Sequence, residues 1–172
     1  MPHEHAGSYG FRALTEEDFP LLRRWLSEPH MAEWWGEPEE EMQSFAEAIT
    51  SRSTKPMIVS FEDKPIAYFQ TYDIHLEDDH PYRDQPAGTL GIDLSIGPRD
   101  FIGKGHGSAM LRQFVEALSA SVPRVVIDPH PDNARAIRAY GKAGFRHLDT
   151  RDTPFGLSYL MGRDLTKETS EQ

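Results

Sequence analysis

The sequence predicts one α/β domain, a mixed and mostly antiparallel sheet with helices on both faces. Three observations lead there. Residues 88–145 read as strand, glycine-rich turn, helix, strand and helix, a βαβα unit. Residues 56–61 and 65–72 are strand-forming runs joined by Glu62-Asp63-Lys64, most simply an antiparallel hairpin. Apolar residues also recur at helical spacing beside these strands, as at Met42, Phe45, Ala46 and Ile49. A chain of 172 residues is long enough for one continuous core and short for two. Residues 1–172 are therefore read as a single domain, with the core between about residues 9 and 165.

Residues 1–8 are polar and read as a loose tail, with no metal assigned to His3 or His5. Tyr9–Ala13 is a short strand. Thr15, with Asp18 three residues on, resembles a capping box for a helix that turns Phe19, Leu22, Trp25 and Leu26 to one side. Pro29 interrupts that helix. Trp34 and Trp35 are adjacent, so on a regular helix they diverge by about 100°. One is expected in the core and the other on a cleft. Pro38 and the three glutamates after it start another helix, with carboxylates in the dipole-favoured first turn. Its apolar stripe is expected to be packing alone.

After the hairpin, residues 73–87 (DIHLEDDHPYRDQPA) have neither helical nor strand period. At that length they read as a functional rim or as a solvated loop. Leu90–Ile96 is a strand that Gly97-Pro98 ends. A helix then faces inward with Ala109, Met110, Phe114, Val115 and Leu118, until Pro123 stops it. Residues 125–127 are a short buried strand, and Ile137 and Tyr140 mark the inner side of a helix over 133–142. Runs 145–148 and 157–161 supply two closing strands, and 166–172 are a polar tail.

Composition narrows the function. Asp plus Glu number 28 against 18 Lys plus Arg, a formal charge of -10. Such a surface repels nucleic acid and attracts a cationic small molecule or peptide. The chain has no cysteine, which excludes disulfides, thiolate nucleophiles and cysteine-type zinc sites. No apolar run reaches membrane-spanning length, and the start MPHEHAGSYG has neither a basic region nor a hydrophobic stretch for export. A cytoplasmic protein without a membrane or nucleic-acid partner is expected. Monomer and homodimer are both open. His106 and His130 have no carboxylate at metal-ligand spacing, so they read as solvated histidines and no metal is proposed.

Two features in 88–145 call for a reason. Gly103-Lys104-Gly105-His106-Gly107-Ser108 lies between a strand and a helix, where glycines let consecutive backbone amides converge on an anion. It has the spacing of neither a nucleotide P-loop nor a dinucleotide fingerprint. From its residues alone it is a diphosphate cradle or a tight turn, with Lys104 adding charge or facing solvent. The second feature is Asp93. Residues 91, 93 and 95 share one sheet face while Ile92, Leu94 and Ile96 fill the other, so this carboxylate leaves the apolar side.

The run Ile102-Gly103-Lys104-Gly105-His106-Gly107-Ser108-Ala109-Met110-Leu111 resembles the acyl-CoA-binding motif of the GNAT superfamily of N-acetyltransferases. In that motif a Gln or Arg, any two residues, Gly, any residue, and Gly or Ala precede a helix. Gly105 and Gly107 match its glycines, and Ile102 stands where the Gln or Arg would be, a departure at a position where the backbone makes the contact. The stretch from Asn133 through Ala136 and Tyr140 to Gly144-Phe145 is similar to the superfamily's N-x-x-A-x-x-x-Y-x-x-x-G-F signature. The resemblance extends to aminoglycoside 6'-N-acetyltransferases over roughly residues 11–162. It rests on Leu14-Thr15-Glu16 with Asp18, Trp25-Leu26, His30 with Glu33-Trp34-Trp35-Gly36, Pro65-Ile66-Ala67-Tyr68, Gly91-Ile92-Asp93 and Asp128-Pro129. The acyltransferases of siderophore biosynthesis have similar N-terminal halves.

The resemblance implies a GNAT fold and acetyl-CoA as cosubstrate. Ile96, residues Ile102, Gly103, Lys104, Gly105, His106, Gly107 and Ser108, and Asn133, Ala136 and Tyr140 would meet that cosubstrate. It also implies Asp93 as general base and Tyr140 beside the thioester sulfur. The acceptor would touch Trp34, Trp35, Asp93, Asp128 and an aspartate of the 73–87 loop, taken as Asp79. Each residue has a plainer account. Asp93 could anchor an ammonium or pair structurally, and Tyr140 could be a core aromatic. Asn133 could only cap its helix, and Asp128 could brace the turn at Pro129 and Pro131.

Acyl transfer to an amine needs a neutral nucleophile and a stabilised leaving thiolate. Without cysteine, direct attack within a ternary complex is the natural route. The expected function is acetyl transfer to a primary amine of a cationic small molecule, best matched by an aminoglycoside 6'-amine. The alternatives are a siderophore-precursor or peptide-amine acyltransferase of the same fold, and a non-catalytic acyl-CoA- or drug-binding module.

Overall fold

A computed structural model of the chain describes residues 9–118 and 121–165; the expected tails 1–8 and 166–172 lie outside the described residues. Seven strands form one sheet in the order β1-β2-β3-β4-β5-β7-β6. They are β1 (Tyr9–Ala13), β2 (Thr54–Phe61), β3 (Lys64–Asp73), β4 (Leu90–Ile96), β5 (Arg124–Ile127), β6 (Arg146–Thr153) and β7 (Gly156–Asp164). Neighbours are antiparallel except β4 and β5, which run parallel, so the expected mixed, mostly antiparallel sheet is found. The turn between β2 and β3 is two residues, with Glu62 and Asp63 at φ 51° and 68°. That left-handed pair matches the twist of the hairpin it closes.

Helices α1 (Phe19–Leu26), α2 (Pro29–Trp34) and α3 (Pro38–Ile49) follow β1, α4 (His106–Glu116) links β4 to β5, and α5 (Ala134–Lys142) follows β5. On one sheet face Ile92 and Phe69 meet Met110, Leu111 and Val115 of α4 and Tyr140 of α5. On the other face Ile58 and Tyr68 meet Leu22, Trp25 and Leu26 of α1, Met31 of α2, and Met42 and Phe45 of α3. The α3 stripe differs from expectation. Ala46 is exposed and Ala48 is buried, because the helix turns Met42, Phe45 and Ala48 to the sheet. At Gly97, just after β4, a Cβ would fall 2.0 Å from the Trp25 indole, so α1 can close on the strand end only over a glycine.

Among the described residues, no helix comparable to α1–α3 covers the other end of this face. There Tyr72, Val126 and Leu160 of the sheet are buried by Ile74 and Tyr82, from the segment that lacked any period. The segment is well anchored. The Arg151 guanidinium on β6 donates to Asp84 at 3.2 and 3.1 Å, to Asp149 at 3.0 and 2.7 Å, and to the Pro81 carbonyl at 2.8 Å. Arg83 donates to the carbonyls of His75 and Glu77 at 3.1 and 3.0 Å. It is a packed cover rather than a solvated loop.

Two further expectations are corrected. The closing strands run over 146–153 and 156–164, longer than 145–148 and 157–161, because the polar residues 149–153 lie on an edge strand, which tolerates polar and charged side chains. His106 is not solvated, whereas His130 keeps the expected contact with solvent in part. His106 is 4 % exposed, with Nδ1 2.7 Å from the Tyr9 hydroxyl and its ring among Phe61, Phe101 and Tyr9. His130 is half-buried with its ring 5.7 Å from that of Trp34.

Candidate active site

The site begins where two strands part. β4 and β5 stay in register for three residues, Leu90, Gly91 and Ile92 against Val125, Val126 and Ile127. β5 then ends, while β4 runs on to Ile96. Beyond β5 the chain follows β7, with the Tyr159 N–H donating to the Pro129 carbonyl at 2.9 Å. Asp93 and Asp128 are the residues immediately past the last pair, so the sheet opens between two carboxylates.

Asp93 lies opposite Gln70 on β3, whose side-chain Nε2 donates to its Oδ2 at 2.9 Å; the Tyr68 hydroxyl donates in turn to Gln70 Oε1. Asp128 Oδ2 accepts from the Tyr82 hydroxyl at 2.6 Å, and Tyr82 also bonds the Ser158 hydroxyl. Burial raises the pKa of both carboxyls, since low dielectric disfavours the charged form. For Asp93 the Asp128 charge is the next contribution. Two carboxylates in one opening resist losing both protons, so they titrate as a pair.

Two cavities meet at this point. The first, about 530 Å³, holds Asp93 and Asp128 with Trp34, Trp35, Glu41, Glu77 and His80 in its wall. Among the described residues its lining has four carboxylates and neither lysine nor arginine. The second, about 510 Å³, is lined by Ile96, Ile102, Gly103, Gly105, His106, Gly107 and Ser108 and by Arg135, Arg138 and Lys142 of α5, against one acid, Glu33. Trp34, Leu94, Asn133, Ala136 and Tyr140 line both.

The second cavity owes its shape to glycine. Gly103 and Gly105 have φ of 73° and 88°, the left-handed region where a Cβ is disfavoured. They bring the chain into α4 so that its first amides, before the Ala109-to-Gly105 bond, have no partner within the helix. At Gly107 a Cβ would stand 4.0 Å from Ala139 of α5, so the two helices close around the cradle. The geometry suits a diphosphate. Asn133 caps α5, accepting from the Ala136 N–H at 3.2 Å, and its side chain still reaches both cavities.

Tyr140 stands between the cavities at 7 % exposure, and its hydroxyl has no hydrogen-bond partner among the described residues. Burial and the charges of Asp93 and Asp128 push its pKa above the ordinary tyrosine value. It stays protonated at neutral pH and can donate.

The structure brings most of the anticipated residues together and separates two. Lys104 is exposed and outside the cavity wall. Asp79 is an exposed turn residue at φ 61°, and its segment gives the wall Glu77, His80 and Tyr82 instead. Trp35 packs at 5.9 Å from Phe45 and 6.0 Å from Tyr68, whereas Trp34 is 39 % exposed on the cleft. Sequence reading did not reach Gln70, Glu41 or Phe155. Gln70 had a signal, as the one amide in the apolar run 65–72. Glu41 was hidden in a run of glutamates, and α3 was read as packing alone. Phe155, 83 % exposed on the β6–β7 turn, is adjacent to nothing in sequence that marks a cavity.

Comparisons with known proteins agree with this geometry. A family described as the acetyltransferase (GNAT) domain matches residues 15–153. The chain is 34% identical over 164 residues to an aminoglycoside N(6')-acetyltransferase type 1 of Klebsiella pneumoniae, covering 90% of this chain and 82% of that protein. It is 28% identical to an N(6)-hydroxylysine O-acetyltransferase of Escherichia coli, covering 86% of this chain and 49% of that protein. Among solved structures, an aminoglycoside acetyltransferase in complex with coenzyme A and kanamycin superposes with a TM-score of 0.83 at 31% identity, covering 96% of this chain and 100% of that one.

Proposed function

The chain belongs to the GNAT acetyltransferase family, and from that premise we propose that it moves the acetyl group of acetyl-CoA to a primary amine of a multiply cationic small molecule, an aminoglycoside 6'-amine above others. One observation carries the reading. The parting of β4 and β5 sets Asp93 and Asp128 in a cavity that holds four carboxylates and, among the described residues, no lysine or arginine, and that shares Tyr140 with a glycine-cradled, cation-lined one. The acceptor half is supported by the 34% identity to an aminoglycoside acetyltransferase over 82% of its length.

In this reading the amides of 103–108 hold the cosubstrate's diphosphate, and Asn133, Ala136 and Leu94 bring its thioester past Tyr140. The Asp93–Asp128 pair takes one proton from the bound ammonium, with Asp93 as base. The freed lone pair attacks the thioester carbonyl, a C–N bond forms and the C–S bond breaks. Tyr140 gives its proton to the departing thiolate, and the nitrogen's second proton restores the tyrosine or leaves to solvent. Trp34, Glu41 and Glu77 receive the rest of the acceptor, where four carboxylates favour a polycation.

The test is thiol release from acetyl-CoA by purified protein with a 6'-amino aminoglycoside, its 6'-hydroxy counterpart, spermidine, N6-hydroxylysine and a short peptide. Turnover confined to the 6'-amino drug is expected. Turnover with hydroxylysine or peptide and silence with both drugs would replace the acceptor, in keeping with the hydroxylysine O-acetyltransferase relative. Binding of acetyl-CoA without turnover on any acceptor would favour a non-catalytic module.

A further inference from the structure

The acidic cavity contains a histidine that the chemistry above does not use. His80 lines its wall together with Glu77, both from the segment that covers the end of the sheet. The His80 ring packs against those of Tyr72 and Tyr82, with centroids 5.4 and 5.1 Å away, and its side chain is 9 % exposed. The Tyr82 N–H donates to His80 Nδ1 at 3.1 Å. A ring nitrogen that accepts cannot also carry a proton, so the neutral ring has its hydrogen on Nε2. Burial lowers the pKa of this histidine, and the neutral form prevails at neutral pH. Glu77 Oε1 lies 3.8 Å from His80 Nε2, beyond hydrogen-bond reach. The other oxygen of Glu77 is held by the Ser53 hydroxyl at 2.8 Å. Arg83 fixes the backbone on this side, donating to the carbonyls of His75 and Glu77 at 3.1 and 3.0 Å. A donor and a carboxylate oxygen therefore stand side by side in the cavity wall, each without a hydrogen-bond partner among the described residues.

We propose that His80 and Glu77 form a hydroxyl subsite, in which His80 Nε2–H donates to a hydroxyl of the acetyl-accepting molecule and that hydroxyl donates to Glu77 Oε1. The site thereby selects a polyhydroxylated cation over a plain polyamine. This rests on the reading of the cavity as the place where the amine substrate binds. A hydroxyl both donates and accepts, so a single oxygen can satisfy two groups set 3.8 Å apart. An ammonium has hydrogens and no lone pair. At this point it would pair with Glu77 and leave the His80 donor buried and unsatisfied, which costs binding. The carboxylates of the cavity draw in any polycation. The His80–Glu77 pair discriminates among them, as a site built around a substrate hydroxyl does against an analogue lacking it.

The experiment measures thiol release at saturating acetyl-CoA with kanamycin, a set of its derivatives each lacking one hydroxyl, and spermidine. Wild type is expected to lose about tenfold in kcat/KM on one of the deoxy derivatives, chiefly through KM, a result that needs no variant. His80→Asn keeps an oxygen able to accept from the Tyr82 N–H and removes the donor at Nε2, while His80→Gln carries an amide N–H near that position. His80→Asn should lose about tenfold on kanamycin yet stay within about twofold of wild type on that same derivative and in the KM for acetyl-CoA. His80→Gln should recover part of the loss. Thermal melts would show both variants to be folded. A His80→Asn loss equal on every substrate, no loss on any, or spermidine turned over by wild type as well as kanamycin would overturn the subsite and leave acetyl transfer to an amine in place. Silence of wild type with kanamycin and all its derivatives would overturn the aminoglycoside reading, and the subsite with it.

Discussion

At the scale of single residues, everything turns on two carboxyls whose protons the fold holds more tightly than water would. Both Asp93 and Asp128 are raised, to a titration region near pH 6 to 7, so the folded chain binds more protons than the unfolded one from about pH 4 up to that region. Stability from this source is full below about pH 4 and is lost as pH rises through pH 6 to 7. Asp93→Asn should therefore raise the melting temperature at pH 8, change it little at pH 4, and lower kcat by about 10² to 10⁴. A melt series against pH, paired with thiol-release rates, would check both signs. Loss of stability at pH 8 would mean that Asp93 is a structural partner. Tyr140→Phe keeps the ring that packs against α4 and removes only the donor; it should lower kcat with little change in the KM for acetyl-CoA. Asp93 stood out in the sequence as a carboxylate in an apolar strand, and Tyr140 through its match to the tyrosine of the family signature. Gln70, Glu41 and Tyr82 did not, since their roles come from register and packing between segments far apart in the chain.

At the scale of elements, the segment over 74–89 does for one end of the sheet what a helix does at the other. Its hydrophobic contribution is small, Ile74 and Tyr82, and charged side chains hold the rest in place. Strands and helices were legible because burial repeats every second residue or every 3.6, and a packed cover without a period leaves no such trace. Asp79 was expected to meet the acceptor, yet it is spent on a turn, and Asp84 is spent on Arg151. Arg151→Met should leave the sheet folded but speed proteolysis within residues 76–87 and raise the acceptor KM several-fold, with the acetyl-CoA KM unchanged. Tyr82→Phe should cost about 1–3 kcal/mol in a denaturant melt, because it strips a buried hydrogen bond from Asp128 and another from Ser158.

At the scale of the whole molecule, one irregularity of the sheet organises both cavities. Three paired residues hold β4 to β5, and past them the strands separate far enough for α5 to present Asn133, Ala136 and Tyr140 between an acidic side and a cationic side. The fold class was readable from periodicity and the cradle from its glycines. The opening itself was not, because nothing in a sequence marks where two strands distant in the chain stop pairing. The central claim is that acceptor and cosubstrate meet across this opening and exchange the acetyl group directly. The measurement that tests it is the initial rate of thiol release with acetyl-CoA and a 6'-amino aminoglycoside varied against each other. Direct transfer predicts double-reciprocal lines that intersect, and no thiol burst when acetyl-CoA is mixed with the protein alone. Parallel lines with such a burst would mean an acyl-protein intermediate and would contradict the account.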